Sequence, residues 1–85
     1  MREEGAGLPR PIVARLVIAA DKIHNLRCIT ADYRGVGEAL WQRFTAGRDD
    51  TRWYYTAVYE ALSAGWAHPI LGEYARAMKQ FPGAE

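Results

Sequence analysis

The sequence predicts an all-α domain of about four helices, and three observations carry that reading. The stretch 12–31 holds no glycine or proline and is apolar around most of its circumference, as a central helix is. Three later segments repeat apolar residues at helical spacing and are set apart by glycine or proline. No run alternates apolar and polar residues, and no Asn-Gly or Asp-Gly hairpin signal occurs.

Residues 1–8 are polar and glycine-containing and are expected to be flexible; 9–82 form the domain and 83–85 a tail. Pro9 and Pro11 mark the start of the first helix, where a missing N–H costs nothing. Along it, Ile12, Val13, Leu16, Val17, Ala20 and Ile23 form an apolar band that Ile18, Leu26 and Ile29 extend to the other side. Residues 32–37 read as a turn, with Gly35 and Gly37 dividing the first helix from a short second one over 38–45 that carries Leu40, Trp41 and Phe44. After a loop at Gly47, Asp49 or Asp50 is the expected N-cap of a third helix over 51–64. Its aromatic residues, Trp53, Tyr54, Tyr55 and Tyr59, are read as core, with Val58 and Leu62. Gly65 closes it. His68 and Pro69 open a last helix running to about Gln80, with Ile70, Leu71, Tyr74, Ala75 and Met78 facing inward.

At 85 residues the chain makes one domain with a thin core. An apolar fraction of 49% is too high for disorder. The net charge of +1 and the scattered basic residues argue against a nucleic-acid or membrane-surface partner. One cysteine, Cys28, allows no internal disulfide, and a reducing cytoplasm is the expected compartment. The longest apolar run is interrupted by Arg15 and is too short to span a bilayer.

Chemistry concentrates in one segment of the first helix. Asp21 stands in the most apolar helix with no cation one turn away, so it is expected to be a buried carboxylate in need of a partner. His24, Asn25 and Cys28 follow it along the same strip, and Lys22 is placed on the solvent side. Two readings fit the strip. In one, Asp21 pairs with an arginine from another helix while Asn25 and His24 bond backbone at a helix junction. In the other, the strip belongs to a metal or ligand site. His24 and Cys28 also stand at thiol–imidazole spacing, but Cys28 is read as a packed cysteine.

The string AADKIHNLRCI resembles a helix of the HD-domain metal-dependent phosphohydrolases, written as Ala-Asp, Lys or Arg, an aliphatic residue, His-Asn, any residue, Arg. Among these it is similar to the hydrolase domains that degrade guanosine tetraphosphate and pentaphosphate. The following DYRGVGEALWQRFTAGRDDTRWYYTAVYEAL resembles the continuation of a subset of the family, so the likeness covers residues 12–80. The resemblance implies the C-terminal portion of an HD-type helical bundle. It implies that Asp21 is the family's last metal ligand and Asn25 a contact to a nucleotide substrate. His24, Arg27 and Cys28 take supporting places. Cys28 departs from the threonine usual in the alarmone hydrolases, which loosens any link to guanine.

The family's earlier His and His-Asp ligands have no counterpart in the twenty residues before Asp21, and His68 matches no ligand position. A complete domain would use a divalent, manganese-like ion on a nucleotide or other phosphorylated small molecule. This chain holds no complete catalytic set and is expected to bind no metal tightly alone, because a catalytic site wants three or more ligands. The expected partners are a complementary HD half or a second copy of the chain, since losing neighbouring helices uncovers apolar surface.

Overall fold

The computed structural model describes residues 10–82, and all their regular structure is helical. The expectations for 1–8, Pro9 and the tail lie outside the described residues. Three α-helices and one 3-10 helix replace the expected four α-helices: α1 Arg10–Val36, the 3-10 helix Gly37–Arg43, α2 Gly47–Ser63 and α3 Pro69–Lys79.

Helix α1 runs through the segment expected to be a turn. Gly35 stays helical, and the break comes at Gly37, whose φ of 64° is open to glycine at little cost. Packing is the reason. Tyr33, in the extra turn, lies 6.1 Å from the Trp41 ring and donates a 2.6 Å hydrogen bond to Glu38, so the last turn of α1 is tied to the segment that follows. That segment adopts the tighter 3-10 pitch and buries Leu40. Trp41 packs on Phe44 and Phe81, with its indole N–H buried and without an acceptor among the described residues.

Helix α2 starts at Gly47, ahead of both expected caps. Ala46 precedes it with no side-chain cap, and Asp49 and Asp50 sit inside the first turn, where carboxylates favour the positive end of the helix. The Thr51 hydroxyl donates to the Gly47 carbonyl at 2.6 Å and is buried there. At the other end Gly65, φ 68°, releases the chain. The opening of α3 follows its sequence signals. His68 is extended, as a residue before proline prefers, and its Nδ1 accepts from the Ile70 N–H at 3.0 Å.

The core lies where α1, α2 and α3 meet. Ala19, Ile23, Leu26 and Ile29 of α1 pack with Tyr55 and Leu62 of α2, and with Leu71, Tyr74 and Ala77 of α3. Phe81, just past α3, joins Leu40 to close one end. Contacts fix the directions. Arg15 reaches the end of α2 and Lys22 its middle, so α2 runs antiparallel to α1. Arg27 meets Glu73 and Arg34 meets Gln80, so α3 runs parallel to the second half of α1.

Two expectations about the core fail. Trp53 is 69% exposed and Tyr54 is also exposed, because α2 turns toward α1 and α3 only the face bearing Tyr55 and Leu62. The band through Val13, Val17 and Ala20 is likewise open, with Val17 62% exposed. Two helices cover one side of α1, and no described element covers the other.

Arg15, the charge inside the apolar run, closes α2. Its Nη1 donates to the Leu62 carbonyl at 2.6 Å and the Ala64 carbonyl at 3.1 Å, and its guanidinium lies 5.7 Å from the centre of the Trp66 ring. A cation there satisfies carbonyls that a helix end leaves unpaired. Arg15→Ala is expected to cost about 1–2 kcal/mol, the low side of the range for charged hydrogen bonds because one contact is exposed. In a domain of this size that lowers Tm by roughly 4–16 °C in a calorimetric scan. An unchanged Tm would show that the contact contributes nothing.

Candidate functional site

Of the four strip residues expected from sequence, Asp21, His24 and Cys28 share an exposed side of α1, and Asn25 turns to the half-buried flank facing α2. On a helix turning about 100° per residue, Val13, Val17, Ala20, Asp21, His24 and Cys28 fall on one side of α1. All six are exposed. The Asp21 side chain is 58% exposed, which corrects the expectation of a buried carboxylate. Periodicity grouped Asp21, His24 and Cys28 correctly but turned the group inward; exposure depends on which helices cover it, and α2 and α3 lie on the other side.

Asp21 pairs with its neighbour. Its Oδ2 accepts from Lys22 Nζ at 3.2 Å and, at a long 3.5 Å, from Asn25 Nδ2. Oδ1 accepts from no described residue. The structural alternative, an arginine from another helix on Asp21, does not occur among the described residues. Lys22 is not on the solvent side: its side chain is 19% exposed and its ammonium lies 5.6 Å from the centre of the Tyr54 ring. The hydrogen bond to Asp21 raises the Lys22 pKa above its ordinary value, against partial desolvation and with help from Tyr54.

Asn25 is half-buried on the flank facing α2. Burial pushes the Tyr55 hydroxyl up, opposed by the Lys22 charge and by a hydrogen bond with Asn25. Asp21, Lys22, Asn25, Tyr54 and Tyr55 thus form one polar cluster at the α1–α2 junction. The sequence reading missed both tyrosines because they were assigned to the core. Beside the cluster is a shallow cavity of about 430 Å³ lined by Arg15, Ile18, Lys22, Tyr54, Val58, Ala61 and Leu62.

His24 and Cys28 stand together and apart from that cluster. The Cys28 Sγ is 3.5 Å from His24 Nε2, and the thiol is exposed, which corrects the packed-cysteine reading. Arg27 points to another side of α1, toward Glu73 of α3 at 3.7 Å. His68 caps α3 and stacks on Trp66, with ring centres 5.3 Å apart.

Of the residues expected at a metal or nucleotide site, the structure brings together one carboxylate, Asp21, and one amide, Asn25. No group of three or more His, Cys, Asp or Glu capable of holding an ion occurs among them. A lone, salt-paired carboxylate does not fit a divalent ion by itself. No described helix is long and apolar enough to cross a membrane. Comparison with protein-family models, curated proteins and solved structures finds no match to this chain.

Proposed function

We propose that the chain is the C-terminal part of an HD-type metal-dependent phosphohydrolase, inactive alone, that offers Asp21 and Asn25 to a site completed by other helices. The observation that supports this reading is the open side of α1. There the Asp21 carboxylate, whose Oδ1 accepts from no described residue, stands in line with exposed Val13 and Val17, on a helix that the other described helices cover on one side only. Exposed apolar side chains aligned along a helix suit packing against another helix. Helices laid on this side would bury Asp21 and bring the missing His and His-Asp groups to it. Asn25, one turn on, would then face a bound nucleotide. A divalent ion in the completed site would supply Lewis-acid activation of water and of the phosphate.

Cys28 makes the test direct, because the same helices would cover it. The chain alone is expected to take up no manganese in calorimetry and to react fully with iodoacetamide. Joined to the upstream ligand-bearing half of an HD-type hydrolase, it is expected to protect Cys28 and to release phosphate from a nucleotide only with manganese. An assembled pair that takes up no manganese and leaves Cys28 fully reactive overturns the proposal.

The exposure of Val13 and Val17 also favours a second reading, in which a further copy of this chain occupies the open side without catalysis. Sedimentation separates the two. Self-association abolished by Val17→Glu supports the homo-oligomer; a folded, strictly monomeric chain excludes it.

A further inference from the structure

We propose that the groove between α1 and α3 is a binding site for a phosphate or pyrophosphate group, formed by Arg27, Arg34 and Arg76. The groove has a volume of about 270 Å³ and is also lined by Thr30, Glu73, Ala77 and Gln80. Its sides follow from helical spacing. Positions 27, 30 and 34 share one side of α1, and 73, 76, 77 and 80 one side of α3 or its end. The two sides meet because the helices run parallel here.

Charge makes the case. Three guanidinium groups face a single carboxylate, and the C-terminal ends of α1 and α3 each add about half a negative charge. The groove therefore stays positive. Its internal contacts are too weak to use these donors up. Arg27 stands 3.7 Å from Glu73, beyond hydrogen-bond length, and Arg34 reaches the Gln80 amide oxygen at a long 3.4 Å. Arg76 makes no hydrogen bond or ion pair with any described residue; its Nη1 rests near Gly72. Each guanidinium carries five N–H donors in a planar fork suited to phosphate oxygens, so most of them remain available. An anion would also relieve the repulsion of three like charges. The volume sits near the lower end for small-molecule pockets, which suits a compact dianion.

Thr30 lies about two and a half helical turns from Asp21, so Asp21 itself points away from the groove, which adjoins the strip only at the edge bearing Val13 and Ala20. The inference does not rest on the hydrolase proposal, and Asp21→Asn serves as its control.

The test is an NMR titration of the whole chain with inorganic pyrophosphate, followed through backbone amides, with malonate as a non-phosphate dianion. Saturable shifts centred on Arg27, Thr30, Arg34, Arg76 and Gln80 are expected. Arg34→Gln with Arg76→Gln should weaken binding at least about tenfold, the loss expected for removing charged hydrogen bonds. Glu73→Gln should tighten it, and Asp21→Asn should leave it unchanged. All three arginines are exposed, so these variants should keep the helical circular-dichroism spectrum of the parent. Shifts that never saturate, equal binding of malonate, or an affinity indifferent to the arginine pair would overturn the proposal.

Discussion

Tyr74→Ala should remove a large part of this chain's stability. Tyr74 is fully buried where the three α-helices meet, its ring 5.2 Å from that of Tyr59, and its hydroxyl donates a 2.6 Å bond to the Tyr55 carbonyl. Truncating a buried aromatic to alanine costs about 3–5 kcal/mol. A domain of this size has only about 4–13 kcal/mol in all. Tyr74→Phe keeps the ring and loses the hydrogen bond, so it should cost about 1 kcal/mol. Chemical denaturation of the three proteins gives the order directly. Equal midpoints for the alanine and phenylalanine variants would mean that the ring is not the central strut.

The same residue sets an alkaline limit. Burial raises the Tyr74 pKa well above its ordinary value near 10, so the folded state holds this proton longer than the unfolded chain does. The fold keeps that contribution below pH 10 and loses it as pH climbs toward the raised value. The slope approaches about 1.4 kcal/mol per pH unit per tyrosine, and Tyr55, also raised by burial, adds to it. Tyr74→Phe should flatten the decline.

Asp21→Ala should separate the role of this residue in the fold from its proposed role in catalysis. In the chain alone, an exposed pair with the adjacent Lys22 is a surface interaction, so the cost should stay within about 0.5 kcal/mol. In the proposed assembly the same change would remove a metal ligand, and turnover should fall by about two to three orders of magnitude, as expected when a charge-stabilising group leaves a reaction centre. Calorimetric Tm on the chain and phosphate release by the assembly are the two readouts. A variant that retains turnover would remove Asp21 from the proposed chemistry; a Tm drop of many degrees would make it a structural residue.

What the sequence revealed follows from the range of each signal. The start of α3 was legible because His68-Pro69 is a local instruction; helical spacing, also local, grouped Asp21 with His24 and Cys28 but could not show that their side of α1 is the uncovered one. The end of α1 was not: Gly35 looks like a stop, and only the packing of Tyr33 on Trp41 carries the helix past it. Asp49 and Asp50 are sound cap residues that the helix overruns by starting at Gly47. Lys22 was misplaced because its neighbour Tyr54 belongs to another helix. The basic residues were read as scattered, yet Arg27, Arg34 and Arg76 converge once α3 lies along α1. The seven-residue spacing of Arg27 and Arg34 was the one hint in the linear order.

Helix α1 is about 40 Å long and α3 about 16 Å, so the two cannot match end to end. Since α3 lies along the later half of α1, the early turns depend on α2 and on the Arg15 clasp over Leu62, Ala64 and Trp66. Such a spoke, gripped at its hub and nearly bare at its tip, should shed its protons in sequence. Deuterium should enter first near Val13, later at Ile18, and last around Leu26.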